Sequence, residues 1–202
     1  MTADAQTLRE IADRIGDWME TASGRKVWPL DIRPGDVTPE DVAHALSMTC
    51  RYGGHTRRFY SVAEHCCHLS DYAVDRGQMG LAFDLLIHDA AEAYLGDIPR
   101  PLKSCLGAGW KAVEKAADEA CTFALGGTWP WSADVKKLDL AILLDERSAL
   151  MSENDNRWGS LDGLLPLGVR IMCWQPEEAK AAWLSRFAAL RALAASQERR
   201  RG

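Results

Sequence analysis

Four residues of this sequence have the types and surroundings expected of a metal site. They are two histidines, His65 and His88, and two aspartates, Asp89 and Asp139, and apolar residues recur around each of them at helical spacing. Burying an imidazole or a carboxylate is costly unless the group is paired or bound to a cation. Two nitrogen and two oxygen ligands suit a transition metal better than calcium, which prefers oxygen alone. We therefore predict a divalent metal ion as cofactor, with manganese, cobalt, zinc, iron and magnesium left open.

The order of these residues resembles the motif of the HD-domain phosphohydrolases, in which a histidine is followed by a His-Asp doublet and a distant aspartate. Three segments, "YSVAEHCCHLS", "LLIHDAAEAYLGDIPRPLK" and "VKKLDLAILLDE", are similar to those of the small bacterial and phage nucleotide phosphohydrolases of this family. The resemblance covers residues 28–150 and is strongest over residues 43–103. It implies that the two histidines and two aspartates are the metal ligands.

The resemblance also implies two catalytic residues. Glu92 matches a glutamate that acts in proton transfer, placing water for attack and helping to protonate the departing 5′ oxygen. Because it follows His88 and Asp89 by four and three residues, it would lie on the same face of a continuous helix. Asp97, in "GDIP", matches the aspartate near the sugar, which in that family favours a deoxyribose.

Binding of the phosphate and the base is assigned to residues beside the motif segments. Arg51 matches the arginine that holds the phosphate, and a guanidinium can bind phosphate through two hydrogen bonds. His55 and Lys103 are further candidates for this task. Trp28 is predicted to stack on the base, since the phage branch has aromatic residues in that stretch. Asp145 and Glu146 could reach toward the site from one or two turns past Asp139, but acids on helices are usually exposed, and we expect this of both.

The implied activity is that of a metal-dependent phosphohydrolase that cleaves the 5′ phosphoester of deoxynucleotides. The basic residues of "GGHTRRFYSVAEH" favour a dATP-like triphosphate, which would yield a deoxynucleoside and triphosphate. A deoxyribonucleoside 5′-monophosphatase, that is a 5′-nucleotidase, stays open because the sequence does not measure the depth of the pocket. The alternative from a different class is a catalytically silent HD-domain nucleotide sensor, which would be expected to have lost a ligand or the acid. The expected partner is a small deoxynucleotide, and members of the family are commonly homo-oligomers.

Helical spacing in nearly every segment predicts a mainly α fold, with residues 1–202 as a single HD-type domain. Its core is expected at residues 28–150, with an N-terminal and a C-terminal helix packing on it. The N-terminal helix would present the apolar face Leu8, Ile11, Ala12, Ile15, Trp18 and Met19. Further helices are predicted after Thr38 and Ser61 and over residues 80–94, 110–125, 133–151 and 176–195.

Composition restricts the classes of protein that remain. The 24 basic and 29 acidic residues give a net charge of −5, which disfavours a nucleic-acid-binding surface. No apolar run approaches the length of a membrane span and the first residues lack the pattern of a signal peptide, so we expect a cytoplasmic protein. The six cysteines contain no C-x-x-C pair and are expected to be reduced and mostly buried.

Overall fold

Hydroxyl side chains set the starts of the first two α-helices in the described part of the chain. The computed structural model describes residues 13–156 and 158–201. Helix α1 (Pro39–Met48) begins after Thr38, whose side chain accepts a hydrogen bond from the backbone N–H of Asp41. Helix α2 (Val62–Val74) begins after Ser61, which accepts from the N–H of Glu64 in the same way. Both starts are those predicted from the sequence, because the hydroxyl satisfies an N–H that the first helical turn leaves without a partner.

The chain continues through six more α-helices in its described part, two of them only one turn long. They are α3 (Met79–Ile87), α4 (Glu92–Leu95), α5 (Arg100–Lys103), α6 (Gly107–Leu125), α7 (Ala133–Leu150) and α8 (Pro176–Arg201). Ahead of α1, the strands β1 (Met19–Glu20) and β2 (Lys26–Val27) pair antiparallel. The predicted mainly α fold and its single domain are confirmed.

Helices α2, α3 and α8 form the centre of the core, and α1 packs on both α2 and α8. The fully buried Trp183 of α8 donates its indole N–H to the carbonyl of Leu86, at 2.9 Å, and stacks on Phe187. The C-terminal helix therefore packs on the core as predicted. No helix in the described ranges combines the length and apolar character needed to cross a membrane.

The predicted N-terminal helix is wrong wherever the structure describes it. Met19 lies in β1 opposite Val27, and Ile15 is 64% exposed instead of facing a core. Gly16 has a φ of +80°, which a right-handed helix does not accommodate. The remaining members of the predicted apolar face, Leu8, Ile11 and Ala12, lie outside the described residues.

The predicted helix over residues 80–94 is interrupted at the His-Asp doublet. Helix α3 ends at Ile87, and α4 begins only at Glu92. Between them the backbone N–H groups bond three residues back, as from Ala90 to the carbonyl of Ile87 at 2.9 Å and from Glu92 to that of Asp89 at 2.9 Å. Such tightening changes the direction of the side chains, so the face of a continuous helix does not explain the position of Glu92.

The six cysteines are free. Cys66, Cys67 and Cys121 are buried as predicted, whereas Cys105 is exposed and the remaining two are partly exposed.

Candidate metal centre

Helix α2, the turn after α3, and helix α7 bring the four predicted ligands together. The Nε2 atom of His65 lies 3.4 Å from an Asp139 oxygen and 3.6 Å from an Asp89 oxygen. The Nε2 atom of His88 lies 3.2 Å from Asp89 and 3.9 Å from Asp139. Potential ligand atoms of His65, His88 and Asp139 all lie within 4.8 Å of one another. The grouping predicted from the sequence is therefore present in the fold.

The hydrogen bonds of the two imidazoles leave both Nε2 atoms available for a cation. The Nδ1 atom of His65 lies 2.6 Å from a carboxylate oxygen of Glu146, and the Nδ1 atom of His88 lies 2.8 Å from the carbonyl oxygen of Leu85. Since both of these oxygens accept, each Nδ1 donates, and a neutral ring then carries its lone pair on Nε2. Both Nε2 atoms are buried and have no hydrogen-bond partner among the described residues.

The donor set fits a divalent metal ion. Two buried nitrogen lone pairs converge on two carboxylates, and each imidazole is oriented through its other nitrogen, as metal-ligating histidines usually are. In the metal-free protein, burial opposes ionisation of Asp139, but protonated His65 and His88 beside it hold the pKa of this carboxyl well below its usual range. A bound cation would replace these two protons. Cys66, with His88 and Asp89, forms a second group of potential ligand atoms on the same side of the core. The residues of this centre can hold a metal ion.

Glu146 organises the buried side of the centre, and the expectation that it is exposed is wrong. It is fully buried and accepts hydrogen bonds from Tyr52 and, at 2.9 Å, from Tyr60, in addition to its contact with His65. Although burial alone would raise it, the Arg51 guanidinium and the His65 ring lower the pKa of Glu146 to about 2. Glu146 is therefore a charged anchor that fixes the orientation of His65.

Its neighbour Asp145 is partly exposed and does not face this centre. It accepts hydrogen bonds from the backbone N–H groups of Leu167 and Gly168, at 2.8 and 3.0 Å. Two adjacent acids on α7 thus have different environments.

A cavity of about 1330 Å³ opens above the metal centre. Of the predicted ligands, His88, Asp89 and Asp139 line it. The predicted catalytic and phosphate-binding residues line it as well: Arg51, His55, Glu92, Asp97 and Lys103.

Arg51 is buried between two carboxylates of the site. Its guanidinium lies 3.5 Å from Asp89 and 3.3 Å from Glu146. The turn that carries it, Arg51–Gly54, continues through left-handed backbone at Tyr52 and Gly53. Arg51 thus combines a structural ion pair with a position on the cavity wall.

Glu92 has the environment of an acid that holds its proton. One of its oxygens lies 3.4 Å from the Lys103 ammonium, and the other is buried with no hydrogen-bond partner in the described part of the chain. Burial raises the pKa of Glu92 well above its ordinary value, and the nearby Asp89 and Asp97 carboxylates reinforce the shift. Burial also raises the pKa of Asp97.

The structure does not bring Trp28 to the cavity. Its side chain is 7% exposed, and the Arg14 guanidinium lies over the ring, 4.5 Å from its centroid. The predicted base contact by Trp28 is therefore corrected, because the extended stretch that carries it folds into the core. The aromatic rings that do line the cavity are those of Tyr52, Trp129, Trp131 and Trp158.

Sequence reasoning also missed Asp118 of α6, which lines the cavity and matches no part of the motif. Burial, with the neighbouring carboxylates of Asp89 and Glu114, raises its pKa to about 7. The approach of α6 to this cavity depends on tertiary packing, and no local sequence pattern predicts it.

Comparison with known proteins places this chain beside two bacterial relatives. No protein-family model matches the chain. It is 35% identical to "Uncharacterized protein YfdR" of Escherichia coli over 73% of this chain and 80% of the relative. It is 32% identical to "Uncharacterized protein RCAP_rcc00048" of Rhodobacter capsulatus over 84% of this chain and 93% of the relative. With this identity over most of both relatives, the chain belongs to the family of YfdR and RCAP_rcc00048.

Proposed function

We propose that this protein is a metal-dependent phosphohydrolase of the HD-domain type, which cleaves the 5′ phosphoester of dATP-like deoxynucleoside triphosphates and releases deoxynucleoside and triphosphate. The observation that carries the proposal is the pair of buried Nε2 atoms of His65 and His88, which make no hydrogen bond among the described residues and converge on Asp89 and Asp139 beside a cavity. A cluster that served only the fold would be expected to satisfy these nitrogens. The resemblance to the HD-domain phosphohydrolases supports the same activity.

A divalent ion at this centre would act as a Lewis acid on a phosphoryl oxygen and would make water more acidic. Glu92 is suited to donate a proton to the departing 5′ oxygen, because a raised pKa keeps the proton on its carboxyl at higher pH. Lys103, at 3.4 Å from Glu92, places a positive charge beside the same point. The ion pairs with Asp89 and Glu146 hold the Arg51 guanidinium at the cavity wall, where its N–H donors can meet phosphate oxygens.

Among the described residues, six cationic side chains around the cavity wall support a substrate with more than one phosphate, while the six carboxylates of the same wall include those of the metal centre. Cationic side chains line the cavity beyond Arg51, namely those of Arg100, Lys103, Lys111, Lys115 and Lys136. A monophosphate would meet few of them at once. A triphosphate has enough anionic oxygens to reach several, and each such contact is a charge-assisted hydrogen bond.

The proposal is tested by stripping the protein with a chelator and resupplying manganese, cobalt, zinc, iron or magnesium. The resupplied protein is incubated with deoxynucleoside mono- and triphosphates, and the products are separated by chromatography. Release of a deoxynucleoside with inorganic triphosphate is the expected result. Phosphate released from monophosphates alone would identify a 5′-nucleotidase instead. Absence of cleavage with every metal and nucleotide would contradict the enzymatic proposal.

A Glu92→Gln variant separates an enzyme from a silent nucleotide sensor. The amide keeps the size of the side chain and cannot donate the proton that the carboxyl carries. We expect nucleotide binding to persist while turnover falls about 10²- to 10⁴-fold, the usual contribution of an acid–base group. Unchanged turnover in this variant would remove Glu92 from the mechanism.

A further inference from the structure

One part of the cavity wall is formed by two tryptophans that have no role in the metal centre. The rings of Trp129 and Trp131 meet edge to face, with their centroids 4.7 Å apart and their planes at 79°. Both line the cavity, and both are only partly buried. They therefore present aromatic surface to whatever fills the cavity.

This aromatic wall lies close to the reacting end of the cavity. The Trp131 ring centroid is 6.4 Å from that of His88, whose Nε2 belongs to the candidate metal centre. A substrate whose phosphate reaches His88 and its neighbours thus has the remainder of its structure within reach of these rings.

Trp131 also carries a polar group that lacks a partner. Its indole nitrogen is buried and makes no hydrogen bond within the described residues. An indole N–H can only donate, and a buried donor without an acceptor is unfavourable. An acceptor on a bound ligand that reached this nitrogen would satisfy it, so the same residue offers a stacking surface and an unpartnered donor.

Trp158, the third tryptophan that lines the cavity, already contacts two other side chains. Trp158 has the Arg147 guanidinium 5.1 Å from its ring centroid, and its ring lies 6.0 Å from that of Tyr52. This difference favours the other two rings as the surface for a planar ligand.

We propose that Trp129 and Trp131 form the subsite for the nucleobase of the substrate. The Trp129 ring stacks on the base, and the Trp131 N–H donates to an acceptor on the base edge. This inference rests on the proposed function for its substrate class, and it assigns base recognition to a segment that the sequence motif does not include. Stacking explains affinity for any base, whereas the single donor adds a preference among bases.

The test compares two ligands that differ only in the base. Binding of dAMP and of deoxyribose 5-phosphate is measured by calorimetry in the presence of Mn²⁺, with the Glu92→Gln substitution in every protein so that neither ligand is consumed. Trp129→Ala removes the stacking ring, and Trp131→Phe keeps an aromatic ring while removing the N–H. Trp18→Ala is the matched control, since Trp18 is 41% exposed and does not line the cavity.

We expect the parent protein to bind dAMP roughly 10- to 100-fold more tightly than deoxyribose 5-phosphate, the range typical of one stacked base. Trp129→Ala should remove most of this difference by weakening dAMP alone, and Trp131→Phe should remove part of it. Thermal unfolding checks the fold of each variant, and Trp129→Leu replaces Trp129→Ala if the latter is destabilised. Trp18→Ala should bind both ligands like the parent.

Three results would overturn the inference. Equal affinity of the parent for both ligands would mean that the cavity has no base subsite. A parent preference for dAMP that persists in both variants would place the base elsewhere and leave the proposed function standing. Failure of the parent to bind either ligand, together with absence of cleavage by the unsubstituted protein, would remove the proposed function and this inference together.

Discussion

Helix α2 carries two buried clusters of histidine and carboxylate that differ in what they leave unsatisfied. In the first, Glu64 is fully buried and accepts hydrogen bonds from the backbone N–H groups of Met172, Cys173 and Trp174, at 2.7–2.9 Å. His68, one turn along, lies 3.1 Å from the same carboxylate. In the second, His65 contacts Glu146 through Nδ1, but its Nε2 has no hydrogen-bond partner among the described residues.

The two clusters have similar chemistry, yet their donors and acceptors are balanced differently. The Glu64 carboxylate meets four donors, and it fixes the segment that precedes α8 against the core. The His65 cluster retains two buried Nε2 atoms, of His65 and His88, without hydrogen-bond partners among the described residues, and it borders a cavity. Burial of polar groups therefore does not by itself indicate a functional site. The distinguishing feature is a pair of buried imidazole nitrogens that make no hydrogen bond within the described ranges, in a cluster that borders a cavity large enough for a ligand.

Removing a metal ligand from the second cluster should have the largest effect. Asp139→Ala should eliminate stable metal binding and lower phosphohydrolase activity at least about 1000-fold, because several kcal/mol of transition-state stabilisation depend on the ion. The fold should persist, since Asp139 belongs to the cavity and not to the apolar core. Metal content after dialysis and turnover are measured together, with Asp134→Ala, an exposed aspartate of the same helix, as control. A folded variant that keeps its metal and its turnover would refute the assignment.

Removing the carboxylate of the first cluster should have the opposite consequence. Glu64→Ala leaves three backbone N–H groups and His68 without their acceptor, and each unpaired buried donor costs about 1–3 kcal/mol. We expect the free energy of unfolding in urea to fall by about 3 kcal/mol or more, with unchanged metal content in the protein that remains folded. The exposed Glu153→Ala is the control. Loss of metal without loss of stability would show that the two clusters are not separate.

A milder change tests the link between Glu146 and the metal centre. Glu146→Gln keeps the size of the side chain but removes the charge that holds the Nδ1 proton of His65, so metal affinity should fall about 10- to 100-fold. Competition with a calibrated chelator measures the affinity. The neighbouring Asp145→Asn, which alters contacts to the backbone of residues 167 and 168, should leave it unchanged. Equal affinities of wild type and Glu146→Gln would mean that Glu146 serves only the fold.

Side-chain types and order were sufficient to predict the metal ligands, but not the residues that support them. Asp139 and Glu146 are two helical turns apart and so share a face of α7, which was the available signal for Glu146. Whether such an acid is exposed depends on what packs against that face, and here Arg51, Tyr52, Tyr60 and His65 do so from distant parts of the sequence.

The prediction of the aromatic contacts failed for a related reason. Trp28 lies in an extended stretch that a sequence pattern cannot distinguish from a cavity wall, and it is covered by Arg14. Trp129 and Trp131 precede α7 in a segment without any motif, and only the packing of that segment near His88 brings them to the cavity. Local start signals were reliable at Thr38 and Ser61 because the capping hydrogen bond forms within one turn of chain.

A change at Asp118 should have the smallest of these effects. Asp118 is a carboxyl on the cavity wall, and burial disfavours its charged form. Its pKa is raised to about 7 by burial and by the Asp89 and Glu114 carboxylates, from an ordinary value of 3.8. Between these two values the folded state binds more protons than the unfolded state, so the free energy of unfolding of metal-free protein should fall as pH rises. Asp118→Asn should flatten this slope and stabilise the protein at pH 8 by about 1–2 kcal/mol, less than the full shift implies because the side chain is partly exposed.

Urea unfolding at pH 4, 6 and 8 in the presence of a chelator measures the slope, which should be steeper in the wild type than in Asp118→Asn. Added Mn²⁺ should reduce the difference between the two proteins, because a cation near Asp89 offsets the negative charge that raises the pKa of Asp118. We expect the hydrogen bonds of the Glu64 cluster to contribute the same stability with and without the ion. A difference in slope between wild type and Asp118→Asn that is unaffected by Mn²⁺ would mean that the ion does not bind close enough to Asp118 to change its pKa.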